Sequence, residues 1–286
     1  MAQLKTELHP RNRHRAPYDF RQLIKNCPDL AKFVAPNNYG NESIDFTNPI
    51  AVKTLNKAIL NFFYNITWDI PEHFLCPPIP SRADYIHYIA DLPSASKSKK
   101  ILDIGVGANC IYPLIGQREY GWSFVATDIN PLAVSIANGI IQQNGLTEAI
   151  EIRLQKSPSN IFEGILKDGD AFDISMCNPP FHTSLSEAKA GTKRKWKNLK
   201  VKTDSLNFGG QGNELWCPGG EVEFIKRMIE ESVHVKCKWF TTLVSKANSL
   251  PSIYKALDQA KAFEVRTIHM GQGQKQSRIV AWTYLN

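Results

Sequence analysis

From Lys100 onward, short runs of β-branched and aliphatic residues alternate with longer stretches whose apolar positions recur every three to four residues. This switching between a period of 2 and a period of 3.6 predicts a sheet of parallel strands covered by helices on both faces. Strands are expected over 101–105, 123–128, 150–155, 172–178 and 239–245, and helices over 131–144, 160–167, 221–235 and 251–263. The helix over 131–144 opens on Pro131, whose fixed φ suits a first turn. Two more strands, over 264–270 and 277–284, flank Gly271-Gln272-Gly273-Gln274 and read as an antiparallel hairpin. The expected fold is α/β, with a mostly parallel seven-stranded sheet that ends in an antiparallel pair. Upstream, Val52, Leu55, Ile59, Leu60 and Phe63 mark one face of a helix over 48–64. A second helix, over 81–92, follows the stiff Cys76-Pro77-Pro78-Ile79-Pro80. Residues 37–99 are thus expected to form a helical cap, linked at 97–100 to a core over 100–286.

Composition narrows the class. Hydrophobic residues make up 43% of the 286, enough for one large core with a small appended subdomain. No window approaches the roughly 20 consecutive apolar residues of a membrane span, and Lys5, Arg11, Arg13 and Arg15 follow the start without an apolar stretch, so membrane and secreted classes are not expected. The six cysteines include no Cys-x-x-Cys pair and none at zinc-ligand spacing from a histidine. A reduced, metal-free, cytoplasmic protein, acting as a monomer, is the expectation.

The net charge of +7 is concentrated in two places. Residues 1–36 carry +4 and residues 182–204 carry +5, which leaves the remainder slightly acidic. Within them, His9-Pro10-Arg11-Asn12-Arg13-His14-Arg15 has no apolar period, and Lys193-Arg194-Lys195-Trp196-Lys197-Asn198-Leu199-Lys200 has a single aromatic among basic residues. Either one alone reads equally well as a solvated stretch, but two on an acidic body suit a polyanion such as nucleic acid. Arg11, Arg13 and Arg15 in the first, and Lys193, Arg194 and Lys195 in the second, are the candidate RNA-binding residues. The stretch 182–220 is too long for a simple connection, so a basic insertion that orders over RNA is expected there.

The candidate chemistry starts at Asp103-Ile104-Gly105-Val106-Gly107, which places two glycines on the turn after the first strand of the core. A dinucleotide fingerprint would want glycine at position 110, where the chain has Cys110. The D-x-G-x-G form instead typifies S-adenosylmethionine sites, and Asp103, Gly105, Gly107 and the neighbouring Asn109 are the candidate cofactor residues. Asp128 ends the next strand, where a carboxylate can accept both ribose hydroxyls. It can equally cap the helix that begins at Pro131. Lys156-Ser157 follows the third strand, making Ser157 a candidate contact to the adenine of the cofactor, though a plain loop fits as well.

Asn178-Pro179-Pro180-Phe181 ends the fourth strand. Consecutive prolines cannot continue a ladder, so the Asn178 amide oxygen and the Pro179 carbonyl are left as acceptors. Such a pair suits a planar –NH2 group, whose nitrogen must become pyramidal before its lone pair can attack a methyl donor. Phe181 offers a stacking face for an extruded base. Asn178, Pro179 and Phe181 are therefore the candidate catalytic residues. His182 is the one titratable neighbour of the motif.

These motifs resemble those of the RlmF family, the adenine-N(6) methyltransferases of bacterial 23S ribosomal RNA, and of its eukaryotic methyltransferase-like relatives. The likeness spans nearly the whole chain and includes His9-Pro10-Arg11-Asn12-Arg13-His14, Tyr39-Gly40, Ile44-Asp45-Phe46, Asn48-Pro49, Ala51-Val52-Lys53-Thr54-Leu55-Asn56, Asp103-Ile104-Gly105, Asn178-Pro179-Pro180-Phe181-His182 and Glu214-Leu215-Trp216-Cys217-Pro218-Gly219-Gly220-Glu221. The resemblance implies a Rossmann-like class I methyltransferase that methylates one adenine of 23S ribosomal RNA, free or in a large-subunit precursor particle, with the N-terminal segment gripping RNA. It also implies that Arg82 meets the carboxylate of the cofactor's methionine part. The eukaryotic relatives carry an aromatic at the position of His182 and a glutamate at that of Asp128, so base stacking and the ribose contact are where this chain departs.

Two other classes share parts of this pattern. Protein glutamine methyltransferases also use Asn-Pro-Pro before an aromatic, usually tyrosine; Phe181 and the basic segments favour nucleic acid. A non-catalytic RNA-binding chaperone could keep the fold, but Asp103, Gly105, Asp128 and Asn178 are all intact.

Overall fold

The computed structural model describes residues 5–93, 98–180, 216–272 and 275–286. Phe181, His182, Lys193, Arg194 and Lys195, and most of the basic insertion, lie outside the described residues.

Seven strands form one sheet: β3 (Lys100–Ile104), β4 (Ser123–Asp128), β5 (Ile150–Leu154), β6 (Phe172–Cys177), β7 (Cys237–Val244), β8 (Glu264–Gln272) and β9 (Lys275–Thr283). Their order is β5-β4-β3-β6-β7-β9-β8. The strands from β5 to β7 are parallel, and β9 inserts antiparallel between β7 and β8. Side chains alternate between two cores, as a doubly covered sheet requires. Ile101 and Ile174 point into the core that includes α2 (Pro49–Tyr64), α3 (Ile79–Ala90), α4 (Ile111–Tyr120) and α5 (Pro131–Gln143). Leu102 and Ile104 point the other way, towards α6 (Gly220–Ser232) and α7 (Leu250–Gln259).

Local chemistry sets the helix ends. Asn48 accepts from the N–H groups of Ile50 (3.0 Å) and Ala51 (3.2 Å), with Pro49 in the first turn of α2. Asn130 does the same for α5, accepting from Leu132 and Ala133.

The structure differs from the sequence expectation in three segments. Helix α4 lies where the sequence pattern predicts none: Gly116 is a weak helix former, and Pro113 is tolerated because it falls in the first turn. Gly116 is there for close packing: a Cβ would sit 2.5 Å from the Phe124 ring of β4. The helix expected over 160–167 is absent. Gly164 turns the chain through the left-handed region (φ 84°), which a right-handed helix cannot contain, and Glu231 of α6 accepts from the amides of Ile161 (2.9 Å), Phe162 (2.7 Å) and Glu163 (3.2 Å) while Ile161, Phe162 and Ile165 plug the second core.

The third difference concerns the N-terminal 36 residues, expected as an unpacked basic arm. They are packed instead, and they carry α1 (Phe20–Asn26), a 3-10 turn (Pro28–Lys32) and β1 (Val34–Pro36), which pairs with β2 (Glu42–Ile44). The buried Asp84 carboxylate of α3 accepts from the His9 backbone (2.8 Å) and the Asn12 amide (2.7 Å). His14 is fully buried between the hydroxyls of Tyr64 (2.7 Å) and Tyr18 (3.0 Å), and burial lowers its pKa to about 3, so it stays neutral. Arg11 pairs with Asp91 and Arg13 with Glu119, anchored on α3 and α4. Polar contacts hold residues 9–14, while Phe20 and Leu23 of α1 and Leu30 of the 3-10 turn enter the first core, with Ile24 and Cys27 packed against it.

Candidate active site

In open parallel sheets, ligands bind beyond the carboxyl ends of the strands where the strand order reverses. Here that place lies beyond β3, β4 and β6, and a cavity of about 450 Å³ opens there. It is lined by Arg82, the 104–109 turn, Tyr112, Asp128, Gln155, the 158–161 loop, Asn178 to Pro180, and Trp216 to Pro218.

The turn after β3 depends on its glycines. Gly105 (φ 76°) and Gly107 (φ 64°) both adopt the left-handed conformation. Position 110, where a dinucleotide site would have glycine, is also left-handed (φ 50°), with Cys110 accepting the strain just before α4. The Gly107 N–H donates to Asp128 Oδ2 and the Asn130 N–H to Asp128 Oδ1, both at 2.8 Å. Because Asn130 caps α5, Asp128 is not needed as the cap; its carboxylate braces the glycine turn and faces the cavity. Burial raises its pKa against the pull of the backbone donors from Asn130, Gly107 and Ile129.

Asp103, 1% exposed, lies beneath the turn on the face towards α3. Its carboxyl is pushed up to about 8, first by burial, further by the nearby Asp128, and against the attraction of Arg82. Its Oδ2 has no hydrogen-bond partner among the described residues. Arg82 lies over the Tyr112 ring, 5.5 Å from its centroid, and the buried Tyr112 hydroxyl makes no regular hydrogen bond among the described residues. A carboxyl, a guanidinium and a phenol thus converge with unspent hydrogen-bonding capacity. That set fits a zwitterion, which carries an ammonium and a carboxylate side by side.

On the β6 side, the Asn178 Oδ1 is buried and has no hydrogen-bond partner among the described residues, and Asn178, Pro179 and Pro180 all line the cavity. The structure therefore brings Arg82, Gly105, Gly107, Asn109, Asp128, Asn178 and Pro179 to one cavity, with Asp103 directly beneath it. Ser157 is not on its wall. The Ser157 N–H is held by Gln155 (2.9 Å) and its hydroxyl is shared with Ser159 (2.8 Å), while Gln155 and Pro158 to Ile161 take the lining positions.

The family described as RNA methyltransferase matches residues 2–286. The chain belongs to this family. As an RNA methyltransferase it is an enzyme acting on nucleic acid, which sets aside both the glutamine methyltransferase and the non-catalytic chaperone. It is 53% identical, over 98% of its length and 91% of the relative's, to the ribosomal RNA large subunit methyltransferase F of Marinomonas sp. (strain MWYL1). Identity reaches 55%, over 99% and 94%, with the protein of that name from Pectobacterium carotovorum subsp. carotovorum (strain PC1). Among solved structures, the hMettl16 catalytic domain in complex with the MAT2A 3'UTR hairpin 1 superposes with a TM-score of 0.85 at 32% identity, covering 98% of this chain and 96% of that one. The N-terminal domain of human METTL16 in complex with SAH gives 0.78 at 28% identity, covering 98% and 99%.

Several residues of this methyltransferase's cavity escaped the sequence reading. Tyr112 sits on the unforeseen α4. Arg227 of α6 lines the cavity and donates to the carbonyls of Pro158 (3.3 Å) and Ser159 (3.1 Å), a contact with no local signal in sequence. Trp216 and Cys217 carried a signal, since both fall in the Glu214–Glu221 motif, but nothing in that string says which cavity it closes.

Proposed function

We propose that this RNA methyltransferase moves the methyl group of S-adenosylmethionine to the exocyclic 6-amino group of one adenine in 23S ribosomal RNA. The single observation that carries the proposal is the buried Asn178 Oδ1, which has no hydrogen-bond partner among the described residues, on a residue that lines the cavity directly before two prolines. A buried carbonyl oxygen left without a partner costs about 1–3 kcal/mol, and a ligand –NH2 relieves that cost. S-adenosylmethionine supplies, when bound, a methyl group on a sulfonium that needs no general base to become reactive.

The chain's own residues divide the remaining work. Asp103 Oδ2 accepts from the ammonium of the methionine part, while Arg82 and the Tyr112 hydroxyl donate to its carboxylate. Asp128 accepts from the ribose hydroxyls with the lone-pair capacity that its backbone donors leave free, and Gln155 and the 158–161 loop flank the adenine. Asn178 Oδ1 and the Pro179 carbonyl draw on the two hydrogens of the target amine, favouring a pyramidal nitrogen with its lone pair turned towards the donor. Phe181 stacks on the extruded base. Arg11 and Arg13 keep about half of their side-chain surface exposed, 47% and 49%, so with Arg15 they can meet phosphates without leaving the packed segment. Lys193, Arg194 and Lys195 add to that grip.

The names of the relatives and the hairpin complex of the hMettl16 domain support an RNA target, and the SAH complex supports the cofactor. The proposal extends to a monomer in the cytoplasm, acting on 23S ribosomal RNA free or in a large-subunit precursor particle. Mass-spectrometric mapping of methylated adenosines in ribosomal RNA, from cells with and without the protein, tests it. One N6-methyladenosine of 23S ribosomal RNA should disappear; an unchanged map would overturn the proposal.

A further inference from the structure

The pairing of β6 with β7 ends at Ser175, opposite Phe240, whereas β6 continues along β3 to Cys177. Cys177 is the last residue before Asn178, and its backbone turns to a side chain. The Cys177 N–H donates to the Tyr85 hydroxyl at 3.3 Å, and the Cys177 carbonyl lies 3.3 Å from the same oxygen. That hydroxyl is also 2.8 Å from Thr241 Oγ1 of β7, and Thr241 in turn donates to the Ser175 carbonyl at 3.0 Å. With the Thr241 proton committed to Ser175, the Tyr85 proton is shared between Thr241 Oγ1 and the Cys177 carbonyl. Two side-chain hydroxyls thus take the place of ladder bonds where the two strands have stopped pairing.

Tyr85 is fully buried, and its ring meets Tyr112 edge-on at 5.5 Å and 87°. It stands one turn after Arg82 on α3, so a single rigid helix reaches both the methionine end of the cavity and the strand that delivers Asn178. Downstream, Pro179 and Pro180 have no N–H with which to fix the chain. Asn178 Oδ1 has no hydrogen-bond partner among the described residues. Among the described residues, the hold nearest to Asn178 is therefore the one upstream, at Cys177.

We propose that Tyr85 is a positioning residue for methyl transfer: its hydroxyl, braced by Thr241, fixes the backbone ahead of Asn178 and so holds Asn178 Oδ1 and the Pro179 carbonyl at the spacing the target amine requires. This rests on the reading of Asn178 as an acceptor for that amine. A displacement of about 1 Å at a reacting centre can cost on the order of a hundredfold in rate, so a brace one residue away matters to turnover as well as to stability.

The test is single-turnover methylation of substrate RNA at saturating S-adenosylmethionine and RNA, with both dissociation constants measured on the same folded protein. Tyr85→Phe keeps the ring and its packing on Tyr112 and deletes only the hydroxyl. It should slow the saturated rate about ten- to a hundredfold and leave both dissociation constants within about twofold. In an Asn178→Ala background the same change should cost less than about twofold more, because the group being positioned is gone. Thr241→Val should repeat the loss and Thr241→Ser should restore the parent rate; this pair decides the matter if Tyr85→Phe does not fold. A folded Tyr85→Phe protein at the parent rate, or a loss that multiplies with that of Asn178→Ala, would overturn the brace while leaving the adenine site standing. An Asn178→Ala protein at the parent rate would remove the adenine-site reading, and the brace with it.

Discussion

Asp103→Asn isolates a titration that the structure makes unusually costly. The Asp103 carboxyl, ordinarily near 3.8, is held at about 8 by burial and by Asp128, despite the opposing attraction of Arg82. Between these two values the folded, cofactor-free protein keeps a proton that the unfolded chain has released. Its contribution to stability is therefore full below about 3.8 and is lost as pH rises through about 8, at roughly 1.4 kcal/mol per pH unit in between. From pH 6.0 to 7.5 the parent should lose about 2 kcal/mol relative to Asp103→Asn, which has nothing to titrate at that position. Other groups change in both proteins and cancel in the comparison. Urea unfolding of the two cofactor-free proteins at the two pH values measures the difference directly. The same titration governs binding: the ionised carboxylate is the form that meets an ammonium, so affinity for S-adenosylmethionine should rise from pH 6.0 to 7.5 in the parent, and stay low without that rise in the variant. Parallel stability curves for the two proteins would refute the reasoning, because Asp103 would then not be the buried, shifted group the structure describes.

Asp128→Ala should weaken S-adenosylmethionine binding by about 1.5–3 kcal/mol, roughly 10- to 150-fold, with the loss of charge-assisted hydrogen bonds to the ribose; isothermal titration at the parent's affinity would reduce Asp128 to a brace for Gly107 and Asn130. Changing Arg11, Arg13 and Arg15 together to alanine should flatten the log–log salt dependence of RNA binding by about 2 to 3 while leaving cofactor binding intact. The half-exposed Arg11–Asp91 pair contributes only about 0–1 kcal/mol, whereas Arg13 pairs with the largely buried Glu119, so the melting temperature is read alongside; an unchanged slope in filter binding by the folded variant would mean that the segment only packs.

The sheet was legible because its strands follow the rule of burial on two faces. Expected bounds such as 123–128 agree with the structure, as does the antiparallel ending of the sheet. Legibility failed where structure is fixed by contacts distant in sequence. Helix α4 carries Gly116 because β4 presses Phe124 against it, with Pro113 in its first turn where no ladder N–H is needed, and the 160–167 segment is held by a carboxylate, Glu231, some seventy residues away. The basic composition of residues 1–36 concealed His9, Asn12 and His14, whose burial depends on partners in α2 and α3. The site followed the same division. Asp103, Gly105, Asp128 and Asn178 stand at strand ends and could be read in order. Ser157 was misplaced because a loop's side-chain directions are not set by strand alternation. The choice between ribose ligand and helix cap for Asp128 stayed open in sequence; the bonds of Asn130 to Leu132 and Ala133 removed the need for a second cap.

Whether Asn178 serves a transferred adenine rather than the fold is decided by single-turnover methylation with Asn178→Ala, read beside its melting temperature. Asn178 Oδ1 makes no hydrogen bond to any described residue, so removing it should leave the melting temperature within a few degrees of the parent. The methylation rate should fall by about a hundredfold or more, as expected when a positioned transition-state acceptor is lost. A folded Asn178→Ala protein that methylates its RNA at the parent rate would contradict the account.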